Sequence, residues 1–566
     1  MKSFLYTILI GTLFLSVQVF AQKSFYGSID LIDGEYIYKE GEDKNSLAWG
    51  RMDNAIHQTG WNFLSINTNE KNSNEDQAYA AGLLEGILTH NQIYTHIKNQ
   101  KTEEKPQEKV RRYFEENAKW DEEQKKSGKD RLYWHHKEMM DRQAQGVIDG
   151  YFRAASEEQN FVTAWQIKVL TYEYDIWDLN IVLPDVNTTS ATTHNLRTSI
   201  EEYRRKMDHC SALLRITPNY EDIYISHITW AGAESMYRFY KVYDMPLHVD
   251  PQTNDVIVPG HKISMSSYPG RFTSGDDFYE ISSGLIVQET TDAIWDESLN
   301  KNIQPHTVYQ WARNALANRL ANNAKEWTDI FGKYQSGTYN NQWMVYDLKK
   351  FHPYEGIEDG SFYIYESIPG EYRVEDETQH LRDTQYWASY NIPAIPYIYN
   401  ISGYPDKVKE MGILYDYTET PRAQIFKRDV HKVIDLSSMQ YMMRYNDFQH
   451  DPLSRCDCNP PYTSQYTISS RSDLNDINGT YPFPALAFRN HMGTDAKLTS
   501  YKMFHDSFAS AFISGPTYQN QPAFQFSSSP LKDLPHEDMP DKWEFPWFYI
   551  QKDQLTGDLK YQPMNN

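Results

Sequence analysis

Cysteine is scarce here: three residues in 566. So few thiols exclude a disulfide-stapled scaffold, and the chain must fold by burying apolar surface. Long hydrophobic runs are missing beyond the N-terminus, and the mean hydropathy is −0.71, which argues against spanning helices. Basic charge is short as well, 55 Lys and Arg against 77 Asp and Glu, a formal net charge of −22. That balance disfavours nucleic acid and anionic membrane surfaces as partners at neutral pH. Common catalytic signatures are absent: no G-x-S-x-G, H-E-x-x-H, P-loop, C-x-x-C or G-x-G-x-x-G. A Ser-His-Asp triad on scattered residues stays open; no metal or cofactor is expected.

What is present begins with export. Residues 1–21, "MKSFLYTILIGTLFLSVQVFA", carry one lysine, an apolar core, and Val19 and Ala21 at the −3 and −1 positions of a cleavage site. This reads as a secretory signal peptide, placing the mature chain in a lysosome or outside the cell. Three sequons agree, at Asn187, Asn400 and Asn478, and each predicts a surface segment. The 18 histidines would offset much of the acidic excess in an acidic compartment.

Along the chain, residues 96–132 form a dense charge run that reads as a solvated helical excursion. Residues 133–160 read as an amphipathic helix. The stretch 185–196, "DVNTTSATTHNL", is small and polar, an exposed loop open to proteolysis. The helix "TSIEEYRRKMDH" then leads into Cys210. Beyond it, strand and helix patterns alternate: residues 278–291 read as one long buried strand, and Thr307 as the N-cap of a helix through "TVYQWARNALANRLANNAKEWTDIF". A further strand is "QWMVYDL". Strands without polar–apolar alternation predict a sheet covered on both faces.

Cys210 stands at the head of a hairpin pattern, "SALLRI" and "DIYISHITW" around Pro218-Asn219. With the turn near 219–220, cross-strand partners sum to 439 or 440, which puts Cys210 opposite 229–230. His227, Thr229 and Trp230 then return beside the thiol. A free cysteine is more often a buried small hydrophobe, and that reading stands beside the catalytic one. Cys456 and Cys458 pair with each other or share one partner; pairing of Cys210 with either is the competing arrangement.

The stretch "CSALLRITPNYEDIYISHITW" resembles the start of the mature large chain in the phospholipase B-like (lamina ancestor) family of N-terminal nucleophile hydrolases. The resemblance continues in order through "SMSSYPGRFTSGDDFYEISSGLIVQETT", "WARNALANRLA", "SGTYNNQWMVYDLKKF", "PRAQIFKRD", "MMRYNDFQHDPLSRC" and "SRSDLNDINGTYPF". Its cysteine spacing at 456–458 is closer than the family pattern. The resemblance implies an α+β fold, a four-layer αββα sandwich made as a precursor. The chain is expected to break at His209–Cys210, leaving a small fragment, 22–209, associated with a large one, 210–566. The freed α-amine, with a pKa of roughly 7.7–8.0, would serve as base to the Cys210 thiol. Asn341 is implied as oxyanion donor with Asn340 as runner-up, His227, Trp230 and Thr291 as pocket residues, and Arg444 as an orienting group. Asp276 and Asp277 read as structural turn residues. The implied activity is phospholipid deacylation; an amidase acting on N-acyl amides and a catalytically idle lumenal glycoprotein are the alternatives. Homo-oligomerisation is left open.

Overall fold

The computed structural model describes residues 23–184, 210–253, 256–552 and 559–564. The architecture is mixed α+β, built on two large sheets. At the centre of the eleven-stranded sheet lie Leu285–Thr291, Phe278–Ile281, Lys262–Ser267, Phe239–Asp244 and Asn62–Thr68, in that order. Asn341–Asp347, Phe362–Ile368 and Glu371–Asp376 extend it on one side; Ala48–Asn54, Lys23–Ile32 and Glu35–Glu40 extend it on the other. All its pairings are antiparallel except that of Asn62–Thr68 with Phe239–Asp244. The seven-stranded sheet runs Tyr386–Ser389, Ser211–Ile216, Ile223–Ile228, Asp495–Ser500, Ser510–Ser514, Phe548–Lys552, Leu559–Pro563.

Strand periodicity explains how these sheets pack. Successive side chains point to opposite faces, and here both faces are apolar. Ala212, Leu214 and Ile216 share one buried cluster with Ile286, Met344 and Ile364 of the larger sheet. Leu213, between them in sequence, packs instead with Ile425, Phe426 and Met439 of helices Pro421–Asp429 and Leu436–Met443. On the larger sheet Leu285 and Val287 likewise face away from the smaller sheet, toward Leu84, Trp311 and Trp327. The absent alternation thus reports sheets buried on both sides, as expected.

Helices Asn74–Gln100 and Arg131–Ala154 cross at glycine. A Cβ on Gly82 would lie 2.0 Å from the Gln143 carbonyl oxygen, and one on Gly150 would lie 2.2 Å from that of Leu83. Only a residue without a side chain admits this backbone approach.

Two expectations are corrected. Residues 278–291 form not one strand but a hairpin, Phe278–Ile281 and Leu285–Thr291, because Gly284 takes φ 84° in the turn between them. The helix expected from Thr307 begins at Gln310 and breaks after Leu320. Thr307 Oγ1 bonds back to the Gln304 carbonyl instead of capping. A second helix, Ala324–Gly332, restarts where the Asn323 side chain accepts from the Glu326 N–H. The signal peptide, the 185–196 loop, the helix before Cys210, Asn187 and His209 lie outside the described residues.

Candidate active site

The hairpin register is the one the arithmetic predicts. Ser211 pairs with Ile228 and Ala212 with His227, a sum of 439, so Cys210 falls opposite Thr229. Pro218–Tyr220 make the turn, and the Thr217 hydroxyl and N–H both close onto the Asp222 carbonyl. Cys210 is 2% exposed and is the free cysteine; Cys456 and Cys458 are joined to each other. The backbone N–H of Trp230 donates to the Cys210 sulfur. The residue itself holds φ 106°, a region that costs a side-chain-bearing residue about 1–3 kcal/mol.

Two side chains converge on this thiol. The sulfur, a His227 ring nitrogen and a Glu289 carboxyl oxygen all lie within 4.8 Å of one another, all buried. His227 Nε2 is 2.9 Å from the backbone carbonyl of Glu289. A carbonyl only accepts, so Nε2 carries the proton and Nδ1 is bare; Nδ1 has no partner among the described residues. Burial holds His227 well below the usual imidazole range, and the nearby Lys497 ammonium adds to this. Burial pushes the Cys210 thiol well up, with the Glu289 charge second. Glu289 is also raised well above an ordinary carboxyl, by burial and then by Asp277. The thiol and the imidazole therefore rest uncharged. Cysteine, histidine and glutamate are donors a zinc ion accepts, so these three could equally hold a metal.

Around the cluster, hydrogen bonding separates the two asparagines. Asn340 is satisfied: its amide donates to the Gly337 carbonyl and its oxygen accepts from Ser367. Asn341 is fully buried, yet neither polar atom of its side chain has a partner among the described residues. It sits opposite Thr291 in the strand register, and the Thr291 hydroxyl donates to Glu289 Oε2 at 3.3 Å. Tyr339 places its hydroxyl 3.1 Å from Asp277 Oδ2 and 3.2 Å from Glu289 Oε1.

The arginine that reaches the thiol-bearing residue is Arg422. Its Nη1 donates to the Cys210 carbonyl at 2.7 Å and to Asn391 Oδ1 at 2.9 Å, and its Nη2 to the Tyr390 carbonyl at 2.7 Å. The guanidinium lies 4.5 Å from the Trp230 ring, a cation–π contact. Arg444, expected as the orienting group, donates from Nη1 to the Gly515 carbonyl, and its buried Nη2 has no partner among the described residues. Asp276 and Asp277 are both buried. Asp276 belongs to a fully buried charge network with Arg238, Lys497 and Asp495, from which Lys497 reaches Thr229 Oγ1 at 2.5 Å. Glu289 and Arg422 escaped the sequence reading. Glu289 had one signal, a carboxyl within a run read as a buried strand; Arg422 had only its place in "PRAQIFKRD".

Cys210 and Thr229 line a cavity of about 1410 Å³, larger than the roughly 300–1,000 Å³ of usual small-molecule sites. Trp165, Val169, Ile176, Trp177 and Ile181 from helix Ala164–Val182 form an apolar wall, and Arg489, Asn490 and His491 form a polar one. Asn400 and Asn478 are exposed, as surface sequons must be. Among the described residues no helix is long and apolar enough to cross a membrane.

A two-sheet α+β protein with a buried, strained cysteine on a large cavity is the class that geometry defines. Comparison with known proteins narrows it. The phospholipase B family model matches residues 48–550. A mouse (Mus musculus) protein named "Putative phospholipase B-like 2" is 38% identical over 537 residues, 92% of this chain and 88% of that one. A rat (Rattus norvegicus) protein named "Phospholipase B-like 1" is 36% identical over 525 residues, 91% of this chain and 89% of that one. The chain belongs to the phospholipase B family.

Proposed function

We propose that this protein is a secreted or lysosomal acyl hydrolase of the N-terminal nucleophile type, with phospholipids as its substrates. On this reading the two sheets and their outer helices form an αββα sandwich. The peptide bond before Cys210 is broken, and the fragments 22–209 and 210–566 stay associated. The observation that carries the reading is the placement of Cys210. A free thiol with φ 106° heads a strand at a cavity lined with apolar residues, beside His227 and Glu289.

The chemistry follows from those positions. Once freed, the α-amine of Cys210 takes the Sγ proton, directly or through one water, as sulfur attacks the acyl carbonyl carbon. The developing oxyanion takes a hydrogen bond from a preorganised donor; the unpartnered Asn341 amide is that donor. The alcohol leaves with the proton, and water then hydrolyses the thioester to release fatty acid and restore the thiol. Arg422 holds the Cys210 carbonyl fixed through both steps.

N-terminal sequencing tests the first part: the large fragment should begin Cys-Ser-Ala-Leu, and Cys210→Ala should stay uncut. An intact chain would overturn it. Incubation with phospholipid vesicles and with N-acyl amides at pH about 5 and 7 tests the second. Cys210-dependent fatty acid release from vesicles supports the phospholipase reading. Release from amides alone makes the protein an amidase, and release from neither makes it an idle glycoprotein.

A further inference from the structure

Self-cleavage has a difficulty that the mature reaction does not. Before the bond breaks, the nitrogen of Cys210 is an amide, with no basic lone pair, so the α-amine cannot take the thiol proton. Another group must accept that proton and return it to the departing nitrogen. The cluster around the thiol supplies two candidates, His227 and Glu289. His227 has Nε2 committed to the Glu289 carbonyl and sits close to the Lys497 ammonium, which weakens its remaining nitrogen as a base.

We propose that Glu289 is the proton acceptor and donor for cleavage of the peptide bond before Cys210, and that the mature site does without it. The proposal rests on the reading above, that the Cys210 thiol breaks this bond. Its carboxyl oxygen is within 4.8 Å of the sulfur, a range that one water or a small closure bridges. Both carboxyl oxygens are oriented, Oε1 by the Tyr339 hydroxyl and Oε2 by the Thr291 hydroxyl.

The steps balance. The Sγ–H proton passes to the Glu289 carboxylate as the S–C bond forms to the preceding carbonyl carbon. The intermediate collapses, the C–N bond breaks, and the Glu289 proton goes to the nitrogen, which becomes the free α-amine. One water then hydrolyses the thioester, giving a carboxylic acid on residue 209 and the free thiol. From there the α-amine is the base.

The test uses the full chain carrying Glu289→Gln, which keeps size and an acceptor for Tyr339 but cannot exchange the proton. Self-cleavage followed by gel and mass spectrometry should slow by about 100-fold or more, and Glu289→Asp should recover part of the rate. In a second version, a site-specific protease sequence ends at position 209, so that an added protease frees the Cys210 amine. Cut E289Q should then alkylate with iodoacetamide at Cys210 within about threefold of cut wild type. Self-cleavage of E289Q at the wild-type rate, or failure of the cut variant to regain thiol reactivity, overturns the proposal. Loss of cleavage on His227→Gln with E289Q unaffected assigns the role to His227 instead. If wild type is not cut before Cys210, or Cys210→Ala is, the underlying reading falls and this one with it.

Discussion

Asn341→Leu should change stability and activity in opposite directions. The side chain is fully buried and both its polar atoms lack partners among the described residues. A buried polar group left unpaired costs about 1–3 kcal/mol, while replacement by an apolar group of the same shape is nearly neutral or stabilising. Leucine has a similar outline, so N341L on a Cys210→Ala background should match or exceed its parent by up to about 2 kcal/mol. With Cys210 intact, loss of an oxyanion donor should slow fatty acid release by about 100- to 1,000-fold. Asn340→Leu is the control. Its amide bonds to Gly337 and accepts from Ser367, so that variant should lose about 1–3 kcal/mol. Stability is read from urea titrations and activity from Cys210-dependent release. If N341L is destabilised by more than about 1 kcal/mol, its amide is satisfied in the fold. If it keeps full activity, the oxyanion role is wrong.

Other outcomes follow from the same coordinates. Arg422→Met removes the charge-assisted bonds to the Cys210 and Tyr390 carbonyls, to Asn391 and to Ser211, and should cost about 3 kcal/mol in urea. Gly150→Ala drives a methyl toward the Leu83 carbonyl and should lower stability by about 2–3 kcal/mol with no effect on thiol alkylation. The melting temperature should rise from pH 7 to pH 5. Asp292, Glu280, Glu366 and Glu377 have carboxyls raised by burial; the folded state then holds protons the unfolded state has lost, a stability lost as pH climbs through the folded pKa. His96 and His136, both lowered to about 3 by burial, and His227, held well down by burial, act oppositely; the first two each cost about 2 kcal/mol at pH 5, but the carboxyls outnumber the imidazoles. A melting temperature that falls toward pH 5 would show the imidazoles winning.

What was legible in the sequence was local. A two-residue periodicity and one turn placed His227 and Trp230 beside Cys210 before any coordinates, because antiparallel register is arithmetic once the turn is located. The groups that complete the cluster come from far along the chain. Glu289 arrives from the larger sheet and Arg422 from a helix after the last strand of that sheet, and nothing local marks either as a neighbour of residue 210. Arg444 and Arg422 were indistinguishable as sequence; their hydrogen bonds separate them. The broken elements had visible causes that were outweighed. Ser282, Ser283 and Gly284 are turn residues inside an apolar run, and Asn322-Asn323 interrupts a helical stripe with a good cap.

The backbone angle at Cys210 has one more consequence. A φ torsion exists only while a carbonyl precedes the nitrogen. Breaking that bond abolishes the torsion, and the side-chain clash that φ 106° imposes disappears with it. Resealing would have to rebuild the clash, about 1–3 kcal/mol, which alone tilts the equilibrium by roughly 5- to 150-fold. On the proposed reading, the residue that cuts the chain also supplies the ratchet, and maturation runs in one direction.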